Sequence, residues 1–280
     1  MAIDYEMRFA TNPADFKSYD TEKIRNEFLI RDLMVPGKIK MVYSHYDRLI
    51  VGGAVPAGSP LVLETIDPLK AEYFLQRREM GIINVGNAGI VEIDGESYDL
   101  NKKEGIYIGR ESKSVLFKSV NAKKPAHFYF NSASAHKKFP IKKVGLSDAI
   151  VVETGSLETS NARKINKLLV QGVIESCQVQ MGLTELQTGS VWNTMPMHVH
   201  SRRMEAYFYF DVPEGQVICH FMGEPNETRH IWMANEEAVI SPPWSVHSAA
   251  GTCNYSFIWG MAGENLDYSD MDWAKTGELK

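Results

Sequence analysis

Short runs of β-branched and aromatic residues recur along nearly the whole chain, each closed by Gly, Pro, Asn or Asp. Examples are MVYSHYDRLIVGG (41–53), MGIINVGNAGIVEIDGESYDL (80–100), EGIYIGRESKSVLF (104–117), PAHFYFNS (125–132), QVICHFMG (216–223) and NYSFIWGM (254–261). Runs of this length, with turn residues at this spacing, predict an all-β barrel or sandwich. Ile93-Asp94-Gly95-Glu96 reads as a hairpin turn, because Asp-Gly tolerates the positive φ that a tight turn requires. Helix signals are few. Asp20 can cap a short helix that carries Ile24 and Phe28 on one face, and TSNARKINKLLV (159–170) predicts a second.

An internal repeat narrows the expectation. YFLQRREMGIINVGNAGIVEIDG (73–95) parallels HVHSRRMEAYFYFDVPEGQVICHF (198–221): a double arginine, a glutamate, an apolar strand, a glycine turn and another strand. GIYIGRESKS (105–114) parallels AVISPPWSVH (238–247). Laying Glu79 on Glu205 sets Glu72 and Phe74 against His198 and His200, and the second parallel sets Ser114 against His247. The repeat predicts two similar β domains, 1–145 without metal ligands and 146–280 with them. The stretch 136–160 reads as their connection, with Lys137, Lys138, Lys142 and Lys143 as solvated surface.

The 280 residues leave room for two such domains. Three well-separated cysteines, Cys177, Cys219 and Cys253, offer no CxxC pair and point to a reducing cytoplasm. The first residues carry acids and no apolar segment, so no secretory signal is expected there. No run approaches the roughly 18 apolar residues of a spanning helix. A net charge of −5 without a basic stripe gives no electrostatic case for nucleic acid. A cytoplasmic enzyme or binding protein acting on something small is the class that remains.

NTMPMHVHSRRMEAYFYF (193–210) is where chemistry concentrates. Residues two apart in a strand share a face, so His198 and His200 present both imidazoles to one side. Glu205 is an odd number of positions further on; a turn or bulge at Ser201-Arg202-Arg203 would bring it back, with Tyr207 and Tyr209 on its face. His247, after a Pro-rich turn, is the best fourth ligand. Three imidazoles and a carboxylate suit Zn, Fe, Mn, Co or Ni, and the lack of thiolates argues against a purely structural zinc site. His220, His230, His45, His127 and His136 read as structural, and Trp192, Met195 and Met197 as core.

HxHx4E followed by PxxxxH is the two-part signature of the cupin superfamily, here His198, His200 and Glu205, then Pro242 and His247. Trp244 stands where the second motif commonly has glycine, and no asparagine follows four residues after His247. The whole chain resembles a narrower group, the 4-deoxy-L-threo-5-hexosulose-uronate ketol-isomerase family, also called 5-dehydro-4-deoxy-D-glucuronate isomerase. The likeness runs through IRNEFL (24–29), YFLQRREMGIINVG, TSNARKINK (159–167), GLTELQTGSVWNTMPMHVHSRRMEAYFYF (182–210), ETRHIWMANEEAVISPPWSVHS (227–248) and FIWGMAGEN (257–265). It implies two cupin jelly-roll barrels in tandem with a few short helices, assembled as a hexamer. It also implies one zinc per chain on His198, His200, Glu205 and His247. The implied reaction interconverts 5-dehydro-4-deoxy-D-glucuronate and 3-deoxy-D-glycero-2,5-hexodiulosonate in pectin breakdown.

Such an isomerisation removes a C–H proton beside a carbonyl and builds charge on oxygen, which a divalent ion stabilises. The base is open among Glu185, Tyr207 and Tyr209, and a hydride shift would need none. For the substrate carboxylate, arginine's planar fork suits Arg203 or Arg202, whose side chains face opposite ways, or Arg163 with Lys167. A cupin oxygenase and a non-catalytic sugar-binding protein are the competing classes.

Overall fold

The computed structural model describes residues 3–264, 267 and 269–280. Strands dominate, as the alternating runs predict, and they fall into two compact units of the same design. The first comprises the chain up to Arg8, Asp32–Ile150 and Lys167–Met181. Its seven-stranded sheet runs Asp4–Arg8, Ile39–Ser44, Ile50–Ala54, Phe128–Ser134, Arg78–Asn84, Gly105–Ile108, Lys142–Val144. A four-stranded sheet runs Leu61–Val62, Val115–Ser119, Gly89–Ile93, Glu96–Leu100. Met80, Ile82, Val91, Ile106, Phe117, Phe128 and Phe130 fill this unit's core, all fully buried. Gly52 is required by that packing, since a Cβ there would lie 2.1 Å from the Phe130 ring. The Asp94-Gly95 turn forms as expected, with φ of 50° and 91° between the paired residues Ile93 and Glu96.

The second unit comprises Phe9–Arg31, Val151–Asn166 and Gly182–Lys280. The second seven-stranded sheet runs Ile150–Thr154, Arg163–Leu169, Gln180–Leu186, Ser256–Gly263, Arg203–Phe210, Ala238–Ser241, Leu29–Ile30. Its four-stranded counterpart runs Trp192–Asn193, Ser248–Gly251, Ile218–Glu224, Glu227–Met233. A ribbon of two short strands, His198–His200 and Met271–Trp273, completes the unit. Seven strands and four in each unit give the internal repeat its physical form, the two-barrel cupin architecture.

The division does not fall at one point near residue 145: 9–31 lies with the second unit and 167–181 with the first. The reason for the first exchange is an aromatic anchor. Asp20 caps the helix Thr21–Phe28, accepting from the Lys23 amide at 2.8 Å. The helix turns Phe28 onto Phe16 and Trp244, with ring centroids 5.6 and 6.4 Å away, and Phe16 lies 5.2 Å from Trp244. The helix expected over 159–170 is instead the strand Arg163–Leu169, flanked on both sides in its sheet. Ladder pairing on two sides outweighs the helical propensity of its lysines and leucines.

Candidate metal centre

His198 and His200 leave their strand on one face and are buried, while Val199 between them is half-buried. The strand ends at His200, and the next begins at Arg203. That break restores the parity that HxHx4E lacks, so Glu205, Tyr207 and Tyr209 follow on one buried face. His247 arrives by a turn at the prolines, in which the Ser245 amide donates to the Pro242 carbonyl at 2.9 Å. The His200 amide donates to the Pro243 carbonyl at 3.2 Å, which fastens the two ligand-bearing segments together.

The four side chains converge. His198 Nε2 lies 3.2 Å from His200 Nε2 and 3.1 Å from His247 Nε2. Glu205 Oε2 lies 3.3 Å from His200 Nε2 and 3.0 Å from His247 Nε2. A cation bound at about 2.1 Å sets neighbouring donors about 3.0–3.4 Å apart, so the spacing suits one ion. The three imidazoles form the set in which every donor pair is within 4.8 Å, and Glu205 joins it through two of them. Burial, then His247 and His200, hold the His198 imidazole down to about 2. Burial likewise lowers His200. Burial alone would raise the Glu205 carboxyl, but His247 and His200 outweigh it and keep it low. Neutral rings at His198 and His200 beside an ionised Glu205 are protonation states that suit a metal.

Behind the histidines sits a buried ion pair, of which Arg203 was a sequence candidate and Asp270 was not. The Arg203 guanidinium, fully buried, reaches Asp270 Oδ1 at 2.7 Å and donates to the Asp267 carbonyl at 3.0 Å. Asp270 Oδ2 lies 3.5 Å from His200 Nδ1. The strand Met271–Trp273 pairs with His198–His200, and the Trp273 ring stands 4.7 Å from His198. No local pattern announces this, because Asp270 is 70 positions from His200.

Other expectations fare differently. Arg203 is committed to Asp270 rather than open to a substrate, and half-buried Arg202 pairs with Asp267 at 2.9 Å. Glu185 faces away from the centre. Its carboxylate accepts from Asn166 Nδ2 at 3.0 Å. Three positions earlier on the same strand, a Cβ at Gly182 would meet the Trp259 ring at 2.3 Å, and Trp259 pairs with Tyr207. An odd offset puts Glu185 on the opposite face. Tyr207 does line the site: its ring lies 5.5 Å from that of His247, and its hydroxyl shares a hydrogen bond with Thr194 Oγ1 at 2.9 Å. Burial lowers the half-buried Arg163 guanidinium, which sits close enough to Tyr207 and Tyr255 to feel both and donates to the Asn161 carbonyl at 2.9 Å. Lys167 belongs to the other unit.

Laying Glu79 on Glu205 also needs correction. Glu79 takes hydrogen bonds from the Tyr107 hydroxyl and the amides of Cys177, Gln178 and Val179, at 2.6–2.7 Å. Arg78 and Arg203 each open their strand, so the counterpart two positions on from each is Met80 and Glu205. Met80 lies in the apolar core of its unit, which among the described residues holds no metal-ligand cluster.

A model of the KduI/IolB family matches residues 30–276. The chain is 59% identical over 280 residues, all of both chains, to a "4-deoxy-L-threo-5-hexosulose-uronate ketol-isomerase" of Formosa agariphila. A relative with that name from Oceanobacillus iheyensis is 52% identical over 276 residues, 98% of this chain and all of the relative. Among solved structures, an IolB-like protein of Salmonella typhimurium aligns with a TM-score of 0.67 at 14% identity, covering 81% of this chain and 87% of that one. Oxalate decarboxylase of Bacillus subtilis, described with Mn(II) centres, aligns with a TM-score of 0.54 at 9% identity over 79% and 70%. These structural likenesses bear on the fold alone.

Proposed function

The chain belongs to the KduI/IolB family, and from that premise we propose that it is a metal-dependent ketol isomerase interconverting 5-dehydro-4-deoxy-D-glucuronate and 3-deoxy-D-glycero-2,5-hexodiulosonate. The observation that carries the chemistry is the convergence of His198, His200, His247 and Glu205 at 3.0–3.3 Å. We propose zinc as the ion, one per chain, since a nitrogen and oxygen donor set of this size suits it. Bound there, it would act as a Lewis acid toward the oxygens between which the carbonyl moves.

The protein's own groups do the rest. His198 and His200, kept neutral by burial, and an ionised Glu205 would hold the ion together with His247. Burial, then Glu205, raises the Tyr207 hydroxyl well above the usual tyrosine range, so it keeps its proton and serves as donor rather than base. Arg163, a half-buried cation within reach of Tyr207, is our choice for the substrate carboxylate. A role in pectin and uronate breakdown, a cytoplasmic location and a hexameric assembly complete the reading. Among the described residues no helix is long and apolar enough to cross a membrane.

The test is direct. Metal-loaded protein incubated with 5-dehydro-4-deoxy-D-glucuronate should yield the 2,5-diketo product by NMR, and protein stripped by a chelator should not. A metal-loaded sample that leaves the substrate unchanged would overturn the reading.

A further inference from the structure

The interior of the second unit carries a polar layer that the metal centre does not use. Across its four-stranded sheet one row runs Asn193, Ala249, His220, Ile231. Paired residues project to the same face, and all four are buried. The corresponding sheet of the first unit shows that the fold does not demand polarity here: it has a row of Leu61, Phe117, Val91 and Tyr98.

The hydrogen bonds fix where His220 holds its proton. Asn193 Nδ2 donates to the Tyr255 hydroxyl at 2.8 Å, and Tyr255 gives its own proton to the Ala249 carbonyl at 3.2 Å. Asn193 Oδ1 has no partner among the described residues, so Asn193 acts through its NH2, as donor. The Tyr209 proton does not go to Asn193 Oδ1, and the acceptor that faces the hydroxyl is His220 Nδ1, 2.7 Å away. A neutral imidazole has one N–H, which must then be on Nε2. Burial first, then His247, holds the ring down to about 3, so it is neutral at working pH. His220 is fully buried, and its Nε2 meets no acceptor among the described residues. Such a donor is costly to bury unpaired and is usually matched. The Tyr207 ring stands edge-on to both His220 and His247, at 5.8 and 5.5 Å between centroids. One aromatic ring thus touches a metal-site imidazole and the unpaired donor.

We propose that His220 is a substrate-binding residue, its Nε2–H donating a hydrogen bond to an oxygen of the polyhydroxy keto acid. This rests on the isomerase reading. Asn193, Tyr209 and Tyr255 serve as its support, fixing tautomer and ring orientation. Because the ring is neutral, it donates without competing for the carboxylate.

Two variants test it. In His220→Asn the amide oxygen can still accept from Tyr209 but the side chain stops short of Nε2. In His220→Gln the amide can reach that position. Expected for His220→Asn is unchanged metal content and a loss of about 100-fold in kcat/KM, the scale for one donor to developing charge. His220→Gln should recover at least about tenfold of that. Folded, metal-loaded His220→Asn within about threefold of the parent, or equal impairment of both variants, would overturn the proposal. Should either variant fail to fold, histidine 15N NMR of the parent decides: borohydride-reduced substrate must shift the His220 Nε2–H signal, and no shift overturns the proposal. A parent without isomerase activity would sink the isomerase reading while leaving that signal to report binding by itself.

Discussion

Three imidazole nitrogens and a carboxylate oxygen packed this closely would be a poor use of a protein interior without a cation. Each neutral ring has one proton, and if those sit on Nδ1 the facing Nε2 lone pairs repel one another. The spacing of HxH made two of these donors legible, because strand alternation acts over two residues. Glu205 was legible once a break between His200 and Arg203 was allowed, and His247 through its proline turn. Asp270 was not, since its approach to His200 depends on a strand pairing 70 residues away. If His200 binds the ion through Nε2, its Nδ1–H must find an acceptor, and Asp270 is the carboxylate that faces it. Asp270→Asn should then weaken metal binding by about 10–100-fold in chelator competition. Circular dichroism should stay unchanged, and an unaltered affinity would remove Asp270 from the metal's support. His200→Ala should leave a folded chain that retains no ion by elemental analysis.

At the scale of elements, the turn at Asp94-Gly95 and the capped helix at Thr21–Phe28 followed from local chemistry, and both formed. The stretch 159–170 did not become a helix because neighbouring strands pair with it on both sides, which a helical pattern in isolation cannot register. Glu185 fell to the same cause: only the position of its strand beside Ser256–Gly263 decides which face it shows. The helix Thr21–Phe28 earns its place through Phe28, 1% exposed and packed on Phe16 and Trp244. Trp244 lies three residues before His247, so this anchor also steadies the turn that carries the His247 imidazole. Phe28→Ala should cost about 3–5 kcal/mol of stability by denaturant titration, as cavities of this size do. It should also weaken metal retention. A cost below about 1 kcal/mol would show the helix to be loosely held.

At the scale of the molecule, repeat and alternation announced two β units of one design, and the cluster of three histidines lies in the second. The exchange of 9–31 and 167–181 between units left no local mark, because it is made by packing between distant residues. The polar interior of the second unit has a consequence for the whole protein's response to pH. Burial holds His198 down to about 2 and His220 down to about 3, against an ordinary 6.5. Between those values and 6.5 the unfolded chain binds more protons than the folded one, so stability falls as pH falls through that window. Glu205, kept low by His247 and His200 against its burial, adds a loss of the same sign below its ordinary 4.5. An ion on the imidazoles adds a third, since protons compete for the same lone pairs. At a free-ion concentration about 1,000 times its Kd, that ion would contribute about 4 kcal/mol. Guanidinium midpoints at pH 8, 6.5 and 5, with and without a chelator, separate these effects. The stripped protein should hold its midpoint from 8 to 6.5 and lose stability by 5. The loaded protein should start higher and fall more steeply toward it. Equal midpoints at pH 8 would mean that no ion stabilises this fold, and a flat line down to pH 5 would mean that the buried histidines are not held neutral.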